Sequence, residues 1–100
     1  MKKGTVITVL VIAGLLALSA QARKQTAVMP DSTGRALQTA RDDARQAGFT
    51  NIGSHDALDK NRMQFLGKNW KVCSQTPSAG RHPATTAVDF AVVKNSERCP

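Results

Sequence analysis

Residues 29–49 read M-P-D-S-T-G-R-A-L-Q-T-A-R-D-D-A-R-Q-A-G-F, and this stretch decides the fold. Pro30 fixes its own backbone and biases Met29 toward an extended conformation. Asp31, Ser32, Thr33 and Gly34 form a polar turn cluster suited to a helix entry, with Ser32 or Thr33 as the candidate N-cap. From Arg35 to Ala47 there is no Gly or Pro, and the one β-branched residue is Thr39. Leu37, Ala40, Ala44 and Ala47 recur at spacings of three, four and three, so they share one helix face. Gly48 stands where a left-handed C-terminal residue belongs, and Phe49 follows as its apolar neighbour. A stripe so rich in alanine lets the helix approach a sheet closely, leaving Leu37, Phe49 and the sheet to supply bulk. The charges from Arg35 through Arg45 read as a solvated face.

Upstream, residues 1–22 have the layout of a secretory signal. Lys2 and Lys3 make a basic start, Thr5 to Leu18 an apolar centre, and Ala20-Gln21-Ala22 a small-x-small cleavage site. The alternative is an uncleaved anchor, because Gly4–Ala22 is an uncharged run of 19 residues; a span needs roughly 20. Contact with a membrane is expected only in that second case. Cleavage would remove only two lysines and lower the formal net charge from +7 to +5. Residues 23–27 read as a linker and 28–100 as the single domain.

So short a domain buries a limited core and benefits from a staple. Cys73 and Cys99 are the only cysteines, and in an exported chain an even pair reads as a disulfide. It would close a loop of about 27 residues and contribute on the order of 3 kcal/mol in the chain-entropy account. A metal site is not expected, because His55 and His82 lie at no ligand spacing to the cysteines. No cofactor is expected either.

After the helix, Phe49–Ser54 reads as a short strand and Ser54–Arg62 as a polar loop. Gly67-Lys68-Asn69 looks like a turn, which would pair Arg62–Phe65 with Trp70–Gln75 in a hairpin; a short helical turn at 62–66 is the alternative. Trp70, Val72 and Ser74 alternate with Lys71, Cys73 and Gln75, which predicts a strand with one apolar face. Pro77–Gly80 ends it in a turn, and residues 81–87 read as a polar connection. Val88, Phe90 and Val92 alternate with Asp89 and Ala91 in a second clear strand. Asn95–Pro100 is a polar tail to be held by Cys99. The order strand, helix, strand, strand, strand predicts an α+β domain. One helix would pack on a small, mostly antiparallel sheet of three or four strands.

Two motifs carry a family resemblance. Residues 29–49 resemble the opening V-P-D-x-x-G, helix, A-G-[LF] of the PASTA domain, the module associated with penicillin-binding proteins and Ser/Thr kinases. Residues 72–80, V-C-S-Q-T-P-S-A-G, resemble that family's V-x-x-Q-x-P-x-x-G. The strand Val88–Val93 falls where the family's last strand falls, so the resemblance covers residues 28–94. Ser32 departs from it, standing where the family usually has an apolar residue. Segment 54–69 is long for the family, the cysteine pair is not a general family feature, and the chain carries one copy with no enzyme domain. The resemblance implies a non-catalytic module that binds peptidoglycan fragments (muropeptides) and is secreted or cell-wall associated.

The residues themselves offer no nucleophile motif, paired-carboxylate signature, phosphate loop or metal spacing. His55-Asp56 has a catalytic look but reads as a structural or solvated dipeptide. Trp70 is a candidate for stacking on a sugar ring or for packing in the core. Arg62, Lys68 and Lys71 surround it in sequence and, in the hairpin, would form a basic rim for the carboxylates of stem peptides or the phosphates of wall polymers. The positive charge also raises nucleic-acid binding; export and the lack of a recognised module count against it. A second class of function is docking on an extracellular protein such as a wall enzyme, through the long segment 54–69. The two readings separate on exposure. Solvent-facing basic and aromatic residues favour wall ligands, and solvent-facing Met63, Phe65 and Leu66 favour a protein partner.

Overall fold

The computed structural model describes residues 25–100, so the signal read over 1–22 lies outside the described residues. Strand β1 (Thr26–Met29) precedes helix α1 (Leu37–Ala47), followed by β2 (Ile52–Asp56), β3 (Trp70–Thr76), β4 (Gly80–Pro83) and β5 (Val88–Lys94). β1 takes in Thr26 and Ala27, the last two residues of the segment read as linker. The fold is a small α+β domain with one helix and mostly antiparallel strands.

The strands form two sheets rather than one. β1 pairs antiparallel with β4, so the segment expected to be an irregular connection at 81–87 contains a strand. In the other sheet β5 is central, parallel to β2 and antiparallel to β3. The alternation in Val88–Val92 marks the interior position of β5: Val88, Phe90 and Val92 are all buried. On α1 the predicted stripe is the buried one, with Leu37, Ala40 and Ala44 closed to solvent and Ala47 packed against the core. Gly48 ends the helix at φ 115°, with its N–H on Arg45 O and the Phe49 N–H on Ala44 O. That paired closure satisfies two carbonyls of the last turn and turns Phe49 inward.

The helix start differs from expectation. Neither Ser32 nor Thr33 caps it; Ala36 precedes the first turn in extended conformation with no side-chain cap. Residues 34–36 serve β3 instead. Gly34 N–H donates to Val72 O at 2.8 Å, and Val72 N–H donates to Arg35 O at 2.9 Å. The entry segment thereby covers part of β3's outer edge, which would otherwise be open for pairing. Ser32 is fully buried, its N–H held by Gln75 Oε1 at 2.8 Å. Gln75 Nε2 donates in turn to the carbonyls of Pro30 and Pro77. One amide side chain thus joins the two motif segments, 29–34 and 72–80.

β3 contains a bulge. Val72 faces Val92 and Ser74 faces Ala91, which leaves Cys73 as the extra residue. Because strand side chains alternate with period two, one extra residue reverses the phase. Trp70 and Val72 are therefore buried as predicted, but Ser74 is exposed. Cys73 bonds Cys99 and fixes the tail, as the cysteine count predicts. Replacing Cys73 by Ser is expected to lower stability by about 3 kcal/mol. Denaturant unfolding measures the loss, and a thiol probe should label Cys99 in the variant and no cysteine in the parent.

Candidate functional site

The segment between β2 and β3 holds the candidate site. The expected hairpin is not formed: residues 61–66 lie outside any strand, and Gly67–Asn69 is a 3₁₀ turn leading into Trp70. β3 finds its partner in β5, whose seven residues bury a far more apolar surface than Arg62–Phe65 offers.

The segment is built from the end of β2. The strand runs on to Asp56, so His55 and Asp56 lie in a strand rather than in the predicted loop. Asp56 is buried at 5% exposure. Its carboxylate accepts from Leu58 N–H at 3.0 Å, Arg62 Nε at 2.7 Å and Arg62 Nη2 at 3.1 Å. Asp59 and Asn61 take left-handed backbone at φ 55° and 54°, a conformation these two residue types tolerate well. The other side of the Arg62 guanidinium meets Glu97, with Nη1 on Oε2 and Nη2 on Oε1, both at 3.0 Å. Its Cζ lies 5.1 Å from the centroid of the Trp70 ring, within cation–π range.

This arrangement changes the roles of the predicted rim. Arg62 and Trp70 are brought together, but Trp70 is 4% exposed and packs in the core. Arg62 has both edges of its guanidinium occupied by carboxylates. Lys68 stands exposed in the 3₁₀ turn, and Lys71 is half-buried on β3. The aromatic that does face solvent is Phe65, at 81% exposure, flanked by Met63 at 69% and Leu66 at 56%.

Between these three, the chain is pinned. Gln64 accepts from Ser54 Oγ at 2.8 Å and donates to Arg62 O, and Ser54 in turn accepts from Arg41 Nη2 of α1 at 2.9 Å. Gly67 is buried against α1, where a Cβ would stand 2.9 Å from the Gln38 backbone nitrogen. Arg62, Gln64 and Gly67 therefore anchor the loop while Met63, Phe65 and Leu66 remain exposed. Beside Phe65 a cleft of about 460 Å³ opens, with Arg41, Ser54, His55, Asp59 and Gln64 among its lining residues. His55 Nδ1 sits 2.6 Å from Asp89 Oδ2 on the neighbouring strand.

The sequence drew attention to Arg62 and Trp70, to Asp56 as part of a structural or solvated dipeptide and to Gly67 as part of a turn, but not to Gln64 and Glu97. One signal for Glu97 was present: a carboxylate two residues before the cysteine that ties the tail to β3. Nothing local marked Gly67 as a contact with α1.

The Arg62 guanidinium, aided by the Leu58 N–H, holds the Asp56 carboxyl well below the usual carboxylate range. Arg62 likewise lowers Glu97, with help from the Lys94 N–H. Both groups titrate lower in the folded than in the unfolded chain. Their contribution is therefore complete above the unfolded-state value of about 4 and is lost as pH falls through the folded-state values. Glu97→Gln is expected to flatten the fall in urea midpoint between neutral and strongly acidic pH, while lowering the midpoint at pH 7. Gly67→Ala is expected to cost about 1–3 kcal/mol by overpacking against α1, read by thermal unfolding. No protein-family model, curated protein or solved structure matches this chain, so the resemblance to the PASTA domain stands on residues 29–49 and 72–80.

Proposed function

We propose that this chain is an exported, non-catalytic docking module that binds an extracellular protein, such as a cell-wall enzyme, through Met63, Phe65 and Leu66. The observation that carries this reading is the contrast within the loop. Three large apolar side chains stand in solvent, while residues between and beside them are held by hydrogen bonds or by close packing on α1. Exposing such residues together has no benefit for a folded monomer, and a rigid loop loses little entropy when it binds. The buried Trp70, by contrast, offers no face to a sugar.

A second reading keeps the wall ligand and moves it. Muropeptide binding would use the cleft beside Phe65, where Arg41, His55 and Gln64 provide polar partners next to an exposed ring. That reading does not use the rim of Arg62, Lys68, Trp70 and Lys71.

The two separate in one pair of experiments. With a photo-crosslinking phenylalanine analogue at position 65 in the producing cells, docking gives a discrete protein adduct that is absent from the exposed control position Thr50. Absence of adducts, or the same adducts from both positions, overturns protein docking. Retention of the exported protein on purified sacculi, lost in Arg41→Ala, would assign the cleft to wall fragments instead.

A further inference from the structure

We infer that the surface docked by this loop is acidic: a protein surface with apolar side chains for Met63, Phe65 and Leu66 and carboxylates around them. The inference rests on the docking reading above and names the partner's chemistry.

The argument is the charge around the loop. The tail lies along the loop's base, with Asn95 N–H on Asn69 O and Asn95 Nδ2 on Lys68 O, both at 3.0 Å. Arg98 in the tail and Lys94, placed opposite Trp70 by the β3–β5 ladder, thereby lie at the end of the molecule that carries Lys68, and all three are exposed. The nearby acid Glu97 is engaged by Arg62 and by the Lys94 N–H. Asp59 is the exposed acid in the loop itself. Lys68, Lys94 and Arg98 thus stand at the base of the loop against one exposed loop acid, Asp59, while Glu97 is taken up by Arg62 and Lys60.

Two other occupants fit less well. A second copy would set these cations against themselves, on a chain whose formal net charge is +5 without residues 1–22. A bilayer is flat, whereas the surface beside Phe65 is concave, with Asp56 and Asp59 in its lining as well as Arg41 and Arg62. A protein surface that offers apolar side chains to the tip and carboxylates to Lys68, Lys94 and Arg98 meets both features of the loop.

The test uses the protein isolated in its exported form and three probes. These are a synthetic peptide of Glu, Leu and Phe, its counterpart with every Glu replaced by Lys, and phosphatidylglycerol vesicles. The acidic peptide is expected to bind, with affinity falling about tenfold on raising salt, and by a similar factor in Lys68→Glu/Lys94→Glu. The Lys peptide should not bind, and Phe65→Ser should abolish binding of the acidic one. Both substituted lysines are exposed, so the fluorescence of Trp70 should stay unchanged and report an intact fold. Equal binding of both peptides, or of neither, overturns the inference, and binding to vesicles without peptide binding assigns the surface to lipid. If the crosslink at position 65 persists while charge reversal leaves it unaltered, the acidic partner falls and docking stands. If the crosslink itself is absent, docking falls.

Discussion

Arg62 is the group on which the loop, the tail and the end of β2 all depend. Its planar guanidinium presents two edges and a face, and each is occupied: Asp56 on one edge, Glu97 on the other, the Trp70 ring across the face. Only an arginine has a planar fork that serves two carboxylates and an aromatic at once. Asp56 is buried, so its charge is tolerated only because the guanidinium and the backbone of the loop surround it. The three segments that meet here bury little apolar surface against one another, since Met63, Phe65 and Leu66 stay outside, and charge-assisted hydrogen bonds hold them instead.

The consequence is a loop with two kinds of residue. Arg62 and Gln64 face inward to polar partners, and Gly67 closes the segment against α1. Met63, Phe65 and Leu66 are left outside. In a chain that buries Leu37, Phe49, Phe90 and Trp70, leaving three comparable side chains in solvent is a local departure from the rule that governs the rest of the core. The proposed docking function follows from that departure. The disulfide has a second effect here beyond its cross-link, because the tail it fixes carries Glu97, which meets Arg62, and Arg98.

Gln75 plays a comparable part at the opposite end of β3. Its amide bonds Ser32, Pro30 and Pro77, so the two motif segments that resemble the PASTA domain are parts of one hydrogen-bonded junction. That arrangement gives a physical reason for a glutamine three residues after Val72 and two before Pro77. Ser32 is fully buried there, and its hydroxyl has no hydrogen-bond partner among the described residues.

The sequence alone determined the elements whose signals are local and periodic. The α1 stripe, the left-handed stop at Gly48 and the alternation of β5 follow from spacing within a few residues, and the pairing of the two cysteines from their count. Tertiary structure decided what depends on meetings between distant segments. The α1 entry joins β3 instead of being capped by Ser32 or Thr33, because β3 has an edge to cover. The hairpin at 62–75 gives way to β3–β5 pairing, because Val88–Val92 offers more apolar surface to bury. Arg62, part of the basic rim around Trp70 in the sequence reading, forms an internal clamp with that ring because Asp56 and Glu97 arrive from 6 and 35 residues away. Periodicity reports which face a residue shares with its neighbours; which charge it meets is set only when the chain closes on itself.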